Sequence, residues 1–196
     1  MIQNKEFFIE DILKSDNFKE FLEETNQHFF NLKQESIIRN YLVRKINESE
    51  NFKNQRAFAE FPREGLKWVD LGIINESLQE SYLIEFKYNF PLDLKRNGNL
   101  KNTINNNIND RTINGKKIDL LILIICEWKI DEYKKILSDL NISSNLCNYQ
   151  IKKEYDWRKK MVTDWDNNLN ITYKTLKVEI NKPVKTIYDF YLIKNV

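Results

Sequence analysis

Residues 118–128, read as Ile-Asp-Leu-Leu-Ile-Leu-Ile-Ile-Cys-Glu-Trp, form a nearly unbroken apolar run whose centre, 120–126, carries no polar side chain other than a thiol. A bilayer span needs about 20 apolar residues, so a run this short reads as a strand. A strand with one face in water alternates apolar and polar positions, whereas one covered on both faces is apolar throughout. The run therefore predicts the centre of a sheet. With 41% hydrophobic and 31% charged residues among 196, the chain has apolar material for one domain built around it.

The flanking patterns supply the other elements. Over residues 16–46 apolar side chains recur at helical spacing, as Phe18, Phe21, Leu22, Thr25 and Phe29, then Ile37, Ile38, Tyr41, Leu42 and Ile46. This predicts one long helix or two short ones. Residues 57–61, 68–74 and 82–88 are short, aromatic and β-branched segments separated by turn-like stretches, which predicts an antiparallel meander. The asparagine-rich segment 93–114 carries Leu100, Ile104 and Ile108 at helical spacing. Residues 132–140 predict a short helix, and 171–180 and 184–193 two late strands joined near Lys182-Pro183.

Charge and composition narrow the function classes. The 31 basic and 29 acidic residues nearly cancel, but counted by quarters the net charge runs −3, 0, +1 and +4. Steps this small fit either composition noise or a basic C-terminal face, and the latter would suit a polyanionic partner despite the small total. One histidine, His28, excludes a cluster of several histidine metal ligands, and its place beside Phe29 in a helical stretch argues against a catalytic triad. Cys126 lies in the apolar run and Cys147 in a polar stretch, so free thiols and a reducing setting are expected. The first residues lack a signal-peptide pattern. A soluble, cytoplasmic protein with no membrane partner is the expectation.

Charges embedded in apolar strands carry the chemical signal. Trp68-Val69-Asp70-Leu71-Gly72-Ile73-Ile74 is followed by Tyr82-Leu83-Ile84-Glu85-Phe86-Lys87-Tyr88. Strand side chains alternate, so Tyr82, Ile84, Phe86 and Tyr88 share a core face and Glu85 and Lys87 share the other. A hairpin partner can set Asp70 beside them. Charges at such positions cost free energy unless paired or bound to an ion. Two neighbouring carboxylates make a hard oxygen site suited to Mg²⁺ or Mn²⁺, with Lys87 orienting or deprotonating a water or stabilising charge on a phosphate. The tripeptide alone means little: 29 acidic residues and 24 lysines in 196 positions give about 3.6 acidic-any-Lys matches by chance, and four occur. Only residues 85–87 follow a second apolar strand with an embedded aspartate. The rival, Glu127-Trp128-Lys129 with Asp119 upstream, puts both carboxylates far apart on one strand.

In Glu35, Asp70, Glu85 and Lys87, with the helical segment near 100–110 and the strand at 118–127, the chain resembles the PD-(D/E)XK nuclease superfamily over about residues 35–128. Val69 stands where the family's name has proline. The resemblance implies a restriction-endonuclease-like fold of the α/β class, a three-layer α/β/α sandwich with a mixed central sheet. Residues 1–196 would form a single domain, with N-terminal helices in 1–50, the catalytic core in 55–130, and a helix and strands in 131–196. It implies a metal-dependent DNA endonuclease of restriction or mobile-element defence type, with Asp70 and Glu85 as Mg²⁺ or Mn²⁺ ligands and Lys87 serving the attacking water. Glu35, at the edge of its helix's apolar stripe, assists metal or water; Glu60 competes for that role, and an ion pair of Glu35 with Arg39 is the plain alternative. DNA phosphates would meet Lys95, Arg96 and Lys101, Lys116 and Lys117, and Lys152, Lys153, Arg158, Lys159 and Lys160, the last group interleaved with Tyr155 and Trp157. A homodimer is the family-level expectation, and a catalytically silent binding or immunity protein on the same fold is the alternative.

Overall fold

The apolar run forms the strand Leu120–Trp128 (β6), the fourth of six in a mixed sheet. The computed structural model describes residues 5–29, 32–61, 68–75, 80–96, 112–113, 116–141, 157–159, 161 and 171–195. The other strands of the sheet are Gln55–Phe61 (β1), Val69–Asn75 (β2), Glu80–Asn89 (β3), Ile171–Ile180 (β7) and Thr186–Asn195 (β8), in the order β1-β2-β3-β6-β8-β7. β1, β2 and β3 form the antiparallel meander, and β7 and β8 a long antiparallel pair. The Lys182–Pro183 peptide in the β7–β8 connection is cis. β6 runs parallel to β3 and antiparallel to β8. Thr112–Ile113 (β4) and Lys116–Lys117 (β5) form a separate two-residue pair.

Both faces of β6 are covered. Leu120, Ile122, Ile124 and Cys126 join the main core with Ile84, Phe86 and Tyr88 of β3, and Leu121, Leu123 and Ile125 pack with Trp157, Met161, Tyr191 and Ile193. Seven successive buried positions need this double cover, since each strand sends alternate side chains to opposite faces.

The N-terminal stripe resolves into two helices, Asp16–Phe29 (α2) and Glu35–Glu48 (α3). A buried polar network separates and fixes them. Gln34, the N-cap residue of α3, donates to Asn26 Oδ1 and to the Phe29 carbonyl, both at 3.1 Å. The Tyr188 hydroxyl lies 2.8 Å from Gln34 Oε1 and 3.0 Å from Asn26 Oδ1. These side chains are buried and partnered, as buried amides must be. The start of α3 is thereby tied to β8.

A further helix, Lys5–Lys14 (α1), has no counterpart in the sequence reading. Ten residues are marginal for a helix in water, and tertiary contacts supply what propensity does not. Ile9, Ile12 and Leu13 are buried, while Glu6 pairs with Lys194 and Glu10 with Lys174 at 2.9 Å, across the length of the chain. Pro91–Arg96 (α4) sends Leu94 against the second face, and Ile130–Asp139 (α5) buries Tyr133 and Leu137 in the main core. No helix among the described residues is long and apolar enough to cross a membrane. Cys126 is a free, fully buried thiol whose pKa burial pushes up to about 12, and Cys147 lies outside the described residues. The helical expectation near 100–110 also lies outside them.

Candidate active site at the split between two strands

The pairing of β2 with β3 ends at Leu71↔Ile84, although β3 continues to Asn89 and β2 remains paired with β1 as far as Val69. Leu83 exchanges hydrogen bonds with Asp119 just ahead of β6, so the backbone groups of odd-numbered β3 residues point toward β6. The even-numbered amides point toward β2. Beyond the split, the N–H groups of Phe86 and Tyr88 face no strand, and leaving them unmade inside the protein would be costly. Two carboxylates take them instead. Asp70 Oδ2 accepts from Phe86 N and Glu35 Oε2 from Tyr88 N, each at 2.7 Å.

Four of the expected residues therefore meet here. Glu35 comes from the first turn of α3, Asp70 from β2 just before the split, and Glu85 and Lys87 from the face of β3 opposite Ile84, Phe86 and Tyr88. Lys87 Nζ lies 2.7 Å from Glu85 Oε1 and 2.8 Å from the Phe86 carbonyl. Glu85 is only 2% exposed, while the Lys87 side chain keeps 32%. Burial raises the Glu35 pKa above the usual 4.5 of a glutamate; the Lys87 charge and the Tyr88 N–H oppose this, and the Asp70 and Glu85 charges add to it.

Glu60 stands on β1 between the pairs that flank Asp70, at the rim of this geometry, and accepts from neither of the two freed β3 amides. Its backbone has φ 53°, a left-handed value uncommon for a residue other than glycine. It falls between the pairs Ala59↔Leu71 and Phe61↔Val69, and reverses the pleat. Simple alternation would send Phe61 to the same face as buried Ala57; instead its ring covers Gly72 and packs with Val69, Leu83 and Ile118. A Cβ on Gly72 would sit 2.6 Å from Phe61 Cδ1, so this approach requires glycine. The Glu60 carboxylate is 57% exposed and lies 3.5 Å from Arg39 Nη2.

Arg39 is the residue of the site that sequence pattern alone does not mark. It stands four positions after Glu35, a spacing that allows a pair with Glu35 as the alternative to a site role for that glutamate. In the structure its Nη1 is 3.8 Å from Asp70 Oδ1 and its Nη2 reaches Glu60. The helical spacing signalled that Arg39 shares a side of α3 with Glu35. It did not show which carboxylate would be nearer.

The rival carboxylates are used separately. Asp119 extends the β3–β6 ladder through Leu83, and Glu127 pairs with Arg158 at 2.7 Å. Arg158 also binds the buried Asp189 at 2.7 Å, and its neighbour Trp157 is 3% exposed beneath the second face. Arg158 and Trp157 thus anchor their segment to the sheet. Lys159 is exposed, as is Lys117 of β5. The side chains of Lys95, Arg96 and Lys116, and all of Lys101, Lys152, Lys153, Tyr155 and Lys160, lie outside the described residues.

Among the described residues no three His, Cys, Asp or Glu side chains are grouped to hold a metal ion by themselves. The donor set at the split still fits Mg²⁺ by its chemistry. That ion takes hard oxygen ligands and is commonly bound through one or two carboxylates, with water and substrate phosphate completing its shell. Fully ionised, Glu35, Glu60, Asp70 and Glu85 against Arg39 and Lys87 leave four negative and two positive charges, a net −2. Compared with protein-family models, with curated proteins and with solved structures, the chain gives no match.

Proposed function

We propose that the protein is a divalent-metal-dependent phosphodiesterase acting on DNA, an endonuclease of restriction or mobile-element defence type. In this reading the mixed sheet and its covering helices form the three-layer, restriction-endonuclease-like sandwich of the PD-(D/E)XK superfamily, and the protein works in the cytoplasm as a homodimer. The single observation that carries it is the convergence of Glu35, Asp70, Glu85 and Lys87 where β2 and β3 part. Buried charge of this kind at a break in a sheet points to a functional site.

Asp70 and Glu85 would hold Mg²⁺ or Mn²⁺, which when bound supplies charge stabilisation at the phosphoryl oxygens and lowers the pKa of water. Lys87 would orient the attacking water and stabilise charge on the phosphate. Glu35, whose pKa burial raises, is suited to accept a proton from that water. Hydrolysis then adds water across one P–O ester bond, leaving a phosphomonoester and a hydroxyl.

Purified protein incubated with plasmid, linear and branched DNA and with RNA, in Mg²⁺ or Mn²⁺ and in chelator, tests the reading. Metal-dependent cutting of DNA that is lost in Asp70→Ala and Lys87→Ala is the expected result. Cutting unchanged in both variants would move the chemistry elsewhere, and no cutting of any substrate with no divalent-ion binding would defeat it. The close Glu85–Lys87 pair supports a second reading, in which that ion pair is structural and the domain is a silent binding or immunity protein. That version predicts tight, chelator-insensitive capture of a protein partner.

A further inference from the structure

We propose that Arg39 is the residue of this site that binds a substrate phosphate, and that Glu60 occupies its guanidinium until the phosphate displaces it. The inference rests on the phosphodiesterase reading and assigns a role within it. Arg39 stands one turn beyond Glu35 on α3, and its side chain is 11% exposed, so the guanidinium is confined to the mouth of the split. A guanidinium carries five donors in a rigid fork and makes its strongest bonds at about 2.7–2.9 Å to carboxylate or phosphate. Arg39 is held at longer range, 3.8 Å from Asp70, 3.5 Å from Glu60 and 3.2 Å from the Asn40 side chain. By contrast, Arg158 engages its carboxylates at 2.7 Å, and Lys87 engages Glu85 at 2.7 Å. The two carboxylate contacts of Arg39 orient it without filling the fork.

Charge makes the same assignment. A polyanion approaching a cluster of net −2 meets repulsion, and Lys87 is already engaged with Glu85 and the Phe86 carbonyl. Arg39 is the other cation of the cluster, and Asp70, the carboxylate beside it, is a proposed metal ligand. A phosphate oxygen bound by Arg39 would therefore lie next to the reacting centre. The left-handed backbone at Glu60 supports the role of that residue, since strained non-glycine residues at sites are maintained by their surroundings. At the same pleat reversal that turns Phe61 onto Gly72, the Glu60 carboxylate reaches α3.

The test is equilibrium binding of a fluorescent DNA duplex in Ca²⁺, followed by anisotropy between about 50 and 200 mM salt, for wild type, Arg39→Gln, Arg39→Lys and Glu60→Gln. Arg39→Gln is expected to weaken binding about tenfold and to lower the salt slope by about one. Arg39→Lys keeps the slope but loses affinity, because the charge remains and the fork does not. Glu60→Gln is expected to tighten binding by releasing the guanidinium. Wild-type slope and affinity in Arg39→Gln would overturn the inference and leave Arg39 as an internal counter-ion of Asp70. Should Arg39→Gln fail to fold, Glu60→Gln decides, and weaker or unchanged binding in it counts against the role. A wild-type protein that binds no DNA overturns the phosphodiesterase reading along with this one, whereas normal wild-type binding with an indifferent Arg39→Gln overturns this one alone.

Discussion

Gly72→Ala places one methyl group against the Phe61 ring, and its effect can be worked out from the contact. The added Cβ would lie 2.6 Å from Cδ1, 2.8 Å from Cγ and 3.0 Å from Cβ of Phe61. The nearest ordinary carbon–carbon separation is about 3.5 Å, so ring or strand must retreat by nearly 1 Å. These are the root atoms of the ring, and the ring is packed against Val69, Leu83 and Ile118. Overpacking of this sort costs about 1–3 kcal/mol. Removing the ring reverses the sign: in a Phe61→Ala background the same substitution should stabilise by about 0.5–1 kcal/mol, because alanine loses less backbone entropy in a strand than glycine. The double-mutant cycle should thus show a coupling of about 1.5–4 kcal/mol. Urea denaturation of the four proteins measures it, and a domain of this size shifts its Tm by about 2–4 °C per kcal/mol. An equal cost for Gly72→Ala with and without the ring would refute the argument that the pleat reversal at Glu60 sets the Phe61 ring against Gly72.

Three further outcomes follow from the polar interior. Because the Glu35 pKa is raised, the folded protein holds a proton that the unfolded chain has lost once pH rises above 4.5, so this group lowers stability as pH climbs through that window. Glu35→Gln, which keeps an acceptor for Tyr88 N, should therefore melt higher than wild type at neutral pH and lose that advantage below pH 4.5; a parallel offset at all pH values would contradict the assignment. Arg158→Ala strands Asp189, whose side chain is 6% exposed, and should cost about 1–3 kcal/mol in urea denaturation, discounted because Arg158 itself is 39% exposed. Burial already raises the Asp189 pKa, so the cost should shrink as acid protonates it. Tyr188→Phe removes the donor to Gln34 Oε1 and should cost about 1–3 kcal/mol, with faster hydrogen exchange at Tyr88 N as α3 loosens; a stability loss with no change at that amide would separate the network from the site.

The strands were legible because their signal is local. Apolar continuity marked β6 as central, and alternation placed Glu85 and Lys87 together, opposite Ile84, Phe86 and Tyr88. Both inferences need only the period of a strand. The N-terminal stripe likewise marked α2 and α3, whereas α1 is too short to hold by propensity and is fixed by burying Ile9, Ile12 and Leu13 in a core built from distant segments.

Sequence periodicity by itself determined that a meander carries an aspartate and a Glu-Phe-Lys segment on neighbouring strands, since side-chain faces follow from the backbone period. Only the tertiary structure decided where the β2–β3 ladder stops, that the Phe86 and Tyr88 amides take Asp70 and Glu35 as acceptors, and that Glu60 turns toward Arg39. The physical reason is the same in each case. A side chain's face is fixed within a few residues, whereas the partner of a freed amide or a buried guanidinium depends on which distant group the packed elements bring within about 3 Å.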